Sequence, residues 1–323
     1  MSETSAAPRL HALVNENGTV RELPPQDVAN YAGLGFVWLH VEEAGNARRD
    51  DLPGYVPPLA AGALLASETR PRCDEVDDAA LINLRGPARD PIEDSDGLVS
   101  IRLWVERRRV TSVSRRRLSA LAKVDQLMRA GKLADGGDFV AALAQAISAE
   151  LDPQVAELGD RVDDCEGALD DGAIYALRRK IAPLRSQAIS LRRFVAPGRD
   201  ALEDLAQLGF DWISKDNKMH LREASDRFAR MAEELDAVRD RAALIHEQVT
   251  DLRSEKIDQR SLVIAVVAFI FLPLTFVTGL LGMNVGGIPF AENPWGFWIV
   301  CGLCLVMGLA VAAWFAWRNW LED

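Results

Sequence analysis

Residues 261–317 contain one charged side chain, Glu292, and this stretch constrains the fold more than any other feature of the sequence. Within it, residues 262–281 and 295–317 are uncharged runs, each long enough to cross the ~30 Å hydrocarbon core of a bilayer as a helix. Tryptophans flank the second run at both ends, as in the aromatic belts at membrane surfaces. The sequence therefore predicts two C-terminal transmembrane helices rather than the core of a soluble protein.

Nearly all of the charge lies in residues 1–260, and the whole chain has a formal net charge of -11. Because an acidic chain lacks the Lys/Arg footprint that phosphates require, no nucleic acid is expected as a partner. The four cysteines do not form the spacing of a disulfide framework. The first residues do not resemble a secretory leader, which favours a cytosolic location for the charged part. No nucleophile–base constellation is visible, so the chain is not expected to be an enzyme.

Residues 1–135 alternate short apolar strands with short helical segments, which predicts a cytosolic α/β domain. Asn17-Gly18 separates two apolar runs and is typical of a tight hairpin turn. Residues 136–216 form a cytosolic helical region, with helices expected at 139–169 and 174–195 and a stop at Pro197-Gly198. A run of four carboxylates is interpreted as a solvated loop rather than a cation sensor between subunits: Asp74, Glu75, Asp77 and Asp78.

A long heptad-like seam follows. Ten apolar residues alternate at intervals of three and four, and such a seam requires a partner helix along its length. The helix is expected to span residues 217–281, a stalk that continues as the first transmembrane helix over ~100 Å at 1.5 Å per residue. Assembly and membrane entry would then belong to one helix. The seam consists of Leu221, Ala224, Phe228, Met231, Leu235, Val238, Ala242, Ile245, Val249 and Leu252.

The flanking charges predict the orientation in the membrane. Arg253, Lys256 and Arg260 precede the first apolar run, whereas residues 282–294 between the two runs have no Lys or Arg. The positive-inside rule places this loop outside, with the second helix at 295–318 and a cytosolic tail at 319–323. Both termini are therefore expected in the cytoplasm. Two helices cannot enclose an aqueous path, so they either anchor the chain or form a pore together with other copies.

One face of the first transmembrane helix carries a candidate pore-lining stripe. Repeated around a ring, its carboxylate would attract cations, and its large apolar residues would form constrictions suited to gating by dewetting. Each residue alone is also compatible with ordinary helix packing. The intervals of three and four residues place seven positions on one side of the helix: Asp258, Ser261, Ile264, Ala268, Leu272, Thr275 and Gly279.

The first transmembrane helix ends in Pro273-Leu-Thr-Phe-Val-Thr-Gly-Leu-Leu-Gly282-Met283-Asn284. With two C-terminal spans and an acidic cytosolic part, this phrase resembles the two-span metal-ion transporter family typified by CorA, whose signature is the Gly-Met-Asn triplet. The resemblance implies an α/β/α domain, a stalk helix that continues into the pore-lining span, a second span around it, and a funnel-shaped homopentamer. It also implies that Gly282, Met283 and Asn284 form the ion filter.

Two further segments are similar to the ZntB zinc-transporter branch of this family: Val285-Gly286-Gly287-Ile288-Pro289 after the triplet and Phe210-Asp-Trp-Ile-Ser before the stalk. The branch implies proton-coupled zinc uptake across the cell inner membrane. At the middle position of the triplet, Met283 resembles the magnesium channels, whereas ZntB proteins often carry another apolar residue there. A CorA-type magnesium channel is therefore the alternative. A membrane-anchored coiled-coil scaffold is the alternative from another class, and it would need neither the polar stripe nor Asn284.

The ligand chemistry leaves the ion open. A ring of Asn284 oxygens suits hydrated Mg²⁺, which dehydrates reluctantly, whereas Zn²⁺ prefers His and Cys ligands, which the stripe lacks. The expected partners are the lipid bilayer, other copies of the chain, divalent cations and protons. No cofactor is expected besides the transported Zn²⁺ or Mg²⁺.

Other candidate metal ligands have plainer interpretations. Cys301-x-x-Cys304 is interpreted as two small apolar residues of the second span. His40, Glu42 and Glu43 form a candidate cytosolic zinc site, since His40 and Glu42 fall on one face of a predicted strand. Two more histidines are interpreted as solvated residues of the stalk: His220 and His246.

Overall fold

The structure is a computed structural model that describes residues 9–42, 47–67, 70–90, 97–169, 174–283, 285–288 and 293–319. The chain divides into two compact units, Met1–His246 and Glu247–Asp323. The first unit contains a sheet and helices, and the second consists of the end of one long helix and a further apolar helix.

A seven-stranded sheet forms the base of the first unit. Its order is β2-β1-β3-β7-β6-β5-β4, in which β3 and β7 are parallel and the other neighbouring pairs are antiparallel. Asn17 and Gly18, with φ of 54° and 93°, form the predicted tight turn between β1 and β2. The strands are β1 (Arg9–Glu16), β2 (Thr19–Glu22), β3 (Phe36–Glu42), β4 (Arg72–Val76), β5 (Ala79–Pro87), β6 (Leu98–Val105) and β7 (Arg109–Ser114).

Helices cover both faces of the sheet, which confirms the predicted α/β/α architecture. Because side chains alternate along a strand, Val41 of β3 joins the core under α1, whereas the Trp38 ring lies on the other face, 5.1 Å from Phe139 of α3. The helices are α1 (Pro58–Leu65), α2 (Leu121–Arg129), α3 (Gly136–Gly167), α4 (Ile174–Gln207), α5 (Lys215–Leu281) and α6 (Gly296–Asn319). The predicted long helix and the two C-terminal apolar helices are present.

The sequence suggests a loop for the acidic run, but the first part of this run is a strand. Asp74 and Glu75 belong to β4, an edge strand that pairs antiparallel with β5. The charges hide the strand pattern, but charged side chains are common on edge strands because they discourage further strand pairing. The indole of Trp212 donates to the carbonyl of Asp78 at 3.0 Å, so the segment before α5 is tied to the end of this strand pair.

Helix α4 does not stop at Pro197-Gly198, where the sequence predicted its end, but continues to Gln207. A Cβ at position 198 would lie 2.7 Å from Cε1 of Phe228, so Gly198 allows α4 to approach α5 closely at this side chain. Beyond it, Ala201, Leu202 and Leu205 are buried. The free energy gained from tertiary packing therefore outweighs the loss of the backbone hydrogen bond that Pro197 cannot make.

The seam of α5 is buried within one chain. Nine of its ten residues, all but Leu252, are at most 3% exposed. Gly159 of α3 and Gly198 of α4 lie close to Val238 and Phe228 of the seam. Because helices of the same chain supply the partners, the seam does not need other copies of the protein. Contrary to the expectation from the sequence, burial of these nine seam residues is therefore complete without assembly.

Ion pairs between helices border the seam. Arg241 of α5 pairs with Glu166 of α3 at 2.7 Å, and Asp236 of α5 pairs with Arg192 of α4 at 2.6 Å. These pairs are partly exposed, so each contributes at most about 1 kcal/mol, and burial of the seam supplies most of the stabilisation.

Candidate ion pathway

In the second unit, the apolar end of α5 packs against α6. The Phe269 ring lies 5.6 Å from Phe315 and 6.3 Å from Trp314. Cδ1 of Leu274 lies 4.0 Å from the point that a Cβ on Gly308 would occupy. Both helices are long and apolar enough to cross a membrane. The half-buried positions of α5 share this face: Val266, Ile270, Pro273, Leu274, Val277 and Leu281.

The predicted stripe lies on the opposite face of α5. At 100° per residue, the centre of the stripe is about 180° from the centre of the face that packs against α6. All seven stripe residues are exposed, and Ile264 and Leu272 are 70% and 74% exposed. The structure thus brings the predicted residues onto one free face, where they are available to line a path between several copies. Their role in conduction stays a prediction.

Two further carboxylates precede the stripe. Asp251, Glu255 and Asp258, at intervals of four and three, are all exposed and line an open depression of about 670 Å³. Ser254 and Gln259 also line it. Of the three, only Asp258 is expected on the stripe from the sequence, because at 100° per residue Asp251 and Glu255 lie about 90° and 130° from the centre of the stripe. Three carboxylates on successive turns concentrate cations more strongly than one.

The end of α5 is held by local hydrogen bonds. The amide of Gly282 donates to the Thr278 carbonyl at 2.9 Å, and the Thr278 hydroxyl donates to the Leu274 carbonyl at 3.0 Å. A Cβ on Gly282 would lie 3.0 Å from the Thr278 carbonyl oxygen, so a larger residue would crowd this turn. Met283 is 46% exposed. Asn284 lies outside the described residues, and the filter assignment therefore stays a prediction.

The candidate zinc site at His40 is not supported. Nδ1 of His40 lies 2.8 Å from the Ser112 hydroxyl inside the sheet domain, and Glu42 pairs with Arg117 at 3.3 Å. Burial, and secondarily the neighbouring His11, lowers the pKa of His40 to about 4. His40 is therefore a neutral core residue with its own partner. Glu43 lies outside the described residues.

The remaining candidates also have ordinary surroundings. Cys301 is exposed and Cys304 half-buried on α6, and both are free thiols. His220 is not simply solvated, since its Nδ1 lies 2.8 Å from Nε2 of Gln145 on α3. His246 is half-buried. In the described parts of the chain, no group of three or more His, Cys, Asp or Glu side chains is placed to hold a metal ion.

The chain is similar to known transport proteins over most of its length. The family model described as "CorA-like Mg2+ transporter protein" matches residues 33–317. The "Zinc transport protein ZntB" of Pectobacterium carotovorum subsp. carotovorum (strain PC1) is 29% identical over 316 residues, 97% of this chain and 96% of that protein. The "Divalent cation transporter CmaX" of Pseudomonas aeruginosa is 32% identical over 294 residues, 88% and 87% of the two chains. The structure of full-length CmaX superposes with a TM-score of 0.79 at 28% identity, covering 98% and 99%.

These matches cover the sheet domain, the long helix and the two apolar helices, and they identify a membrane transporter of divalent cations. The related proteins are named as transport proteins. The chain belongs to the CorA family.

Proposed function

We propose that this protein assembles as a homopentamer in the cell inner membrane and takes up divalent cations, with zinc as its principal ion. Both termini lie in the cytoplasm in this proposal, because Arg253, Lys256 and Arg260 flank the first span. The observation that carries the proposal is the exposed stripe on α5, on the side away from α6. A second copy can use that face without displacing α6.

The proposed path has three stages. Rings of Asp251, Glu255 and Asp258 hold cations at the cytosolic mouth by their negative potential. Rings of Ile264 and Leu272 narrow the middle of the path, and the path closes to ions when water leaves these apolar constrictions. At the outer end, a ring formed by Asn284 of each copy hydrogen-bonds the water shell of the ion without removing it.

Zinc is favoured because several related proteins at 29–32% identity are named zinc transport proteins. Magnesium is the second candidate, since the stripe and Asn284 offer oxygen ligands and lack His and Cys. In this proposal zinc passes in hydrated form or rests briefly at the carboxylates. A membrane-anchored scaffold is disfavoured, because the related proteins are named transporters.

Proton coupling is part of the proposal, and the sequence limits where it occurs. No ionisable side chain lies between Ser261 and Gly282, so the first span itself offers no proton carrier. A coupled proton must therefore travel by water or through the carboxylates that precede Ser261.

Uptake into proteoliposomes tests the proposal. Flux of Zn²⁺ and of Mg²⁺ would be measured at equal concentrations, with and without an inward proton gradient. We expect faster zinc flux and a further increase with the gradient. Faster magnesium flux that does not change with the proton gradient would identify a magnesium channel. Absence of flux for both ions would overturn the transport proposal.

A further inference from the structure

The segment of α5 just before the first apolar run sorts its charges onto two faces. Asp251, Glu255 and Asp258 occupy one face of the helix. The other charged group consists of Arg253, Lys256 and Arg260, at intervals of three and four residues, and all three are exposed. At 100° per residue, the basic group lies roughly opposite the acidic group.

Each face places like charges next to one another. Arg253 and Lys256 are three residues apart, and Lys256 and Arg260 are four apart, the spacings at which helical neighbours meet. Like charges at these spacings destabilise an isolated helix. Opposite charges outside the helix would therefore stabilise both faces, a cation on the acidic side and an anion on the basic side.

Arg260 lies at the depth of the headgroup layer, and Lys256 and Arg253 lie on the cytosolic side of that layer. With a rise of 1.5 Å per residue, Arg260, Lys256 and Arg253 are about 3, 9 and 14 Å before Leu262, where the uncharged run begins. The headgroup layer is about 5–8 Å thick on each side. Basic residues near the surface are attracted to anionic lipids over one Debye length, ~10 Å at 0.1 M salt, which includes the positions of Lys256 and Arg253.

We propose that Arg253, Lys256 and Arg260 form a binding site for the phosphate groups of anionic phospholipids. The site rests on the proposed insertion of α5 into the membrane. At 100° per residue, the centre of the basic group lies about 100° around α5 from the centre of the stripe, so the basic side chains lie off the face that is proposed to line the path and are free to meet lipid. Bound lipid then fixes the rotation of α5 about its own axis and holds Asp258 toward the path.

The test uses the full-length protein in nanodiscs of phosphatidylcholine with a minor fraction of phosphatidylglycerol. Lipid retained after mild detergent extraction is counted by native mass spectrometry. We expect the wild type to be enriched in phosphatidylglycerol relative to the bulk mixture, and R253Q/K256Q/R260Q to return to the bulk ratio. R253K/R260K keeps the charges and should keep the enrichment.

The matched control is K215Q/R222Q/R230Q, which removes three exposed charges from the first turns of the same helix. It should retain the wild-type enrichment. Equal enrichment in R253Q/K256Q/R260Q and wild type would overturn the site, as would equal loss in the control. Loss of the oligomer with enrichment preserved would instead assign the basic face to a neighbouring copy. Lipid retention does not depend on ion flux, so failure here is separate from failure of the proposed function.

Discussion

Asn284 is the residue on which the filter prediction depends. Asn284→Ala removes an amide from every copy at once, so the outer mouth can no longer hydrogen-bond a hydrated ion. We expect flux near background, while the detergent-extracted oligomer keeps its size because earlier turns of α5 determine its packing. Flux would be measured by radioactive zinc uptake and divided by the amount of intact oligomer.

Asn293 provides a matched control. Its side-chain oxygen accepts a hydrogen bond from the Trp295 amide at 2.9 Å near the start of α6. Asn293→Ala should therefore lower helix stability, by about 1 kcal/mol for a lost cap, and leave flux per oligomer unchanged. Normal flux in Asn284→Ala would show that Asn284 does not act in the filter.

We expect His40 to make the folded protein sensitive to acid. Its pKa of about 4 in the folded state lies below the ~6.5 of an exposed histidine. Below pH ~6.5 the unfolded chain therefore binds this proton more readily, and stability falls until the folded pKa is reached. The loss between pH 7 and pH 5 is about 2 kcal/mol.

Replacing the imidazole tests this linkage. His40→Gln should flatten the decrease in unfolding temperature of the full-length protein between pH 7 and pH 5, whatever its effect at pH 7. His220→Gln serves as the control, because its side chain is 43% exposed. An unchanged pH dependence in His40→Gln would mean that another group controls acid unfolding.

The contact between α4 and α5 depends on the absence of a side chain at Gly198. Gly198→Ala places a Cβ 2.7 Å from Cε1 of Phe228, and overpacking of this kind costs about 1–3 kcal/mol. The cost should shrink in a Phe228→Leu background, which gives the methyl group room. A double-mutant cycle on chemical unfolding measures this coupling.

Gly62, in α1, is the matched glycine, since a Cβ there would have no neighbour within 4 Å. Gly62→Ala should stabilise the protein by about 0.5–1 kcal/mol, because alanine loses less backbone freedom on folding. Additive effects of Gly198→Ala and Phe228→Leu would contradict the close approach of the two helices.

The acidic turns of α5 should act on flux through their electric potential. Asp258→Asn is expected to lower cation flux most at low salt, because salt screens the carboxylates over ~10 Å at 0.1 M. Asp251→Asn and Glu255→Gln should add to the loss. Asp226→Asn, an exposed carboxylate earlier in the same helix, should have no effect. An Asp258→Asn loss that is equal at every salt concentration would argue against a potential effect.

For the whole molecule, burial of the seam within one chain predicts that assembly depends on the apolar segments. A chain that ends at Arg260 keeps all ten residues of the seam, so it should fold. It should sediment as a monomer, whereas the full-length protein in detergent should sediment as an oligomer. A truncated chain with the full-length stoichiometry would show that the charged part assembles by itself.

Several features were determined by the sequence alone, because each has a purely local cause. A bilayer accepts helices only where a long run lacks charge, so the run broken only by Glu292 predicted two spans. Asn17-Gly18 adopts positive φ at little cost, so the turn could be predicted. The stripe on α5 was predictable because residue intervals fix which side chains share a helix face.

Only the tertiary structure decided what lies against each face. The spacing of apolar residues from Leu221 to Ile245 indicates that one side of α5 is buried. The same spacing would arise if another chain, rather than α3 and α4, covered that side. Likewise, Pro197-Gly198 predicts the end of a helix from the sequence. In the fold, α4 continues because the Phe228 ring packs into the space that the glycine leaves. His40 offers a metal ligand in sequence but bonds Ser112 in the fold. Periodicity along a chain encodes which residues avoid water, whereas their partners depend on how distant segments meet in three dimensions.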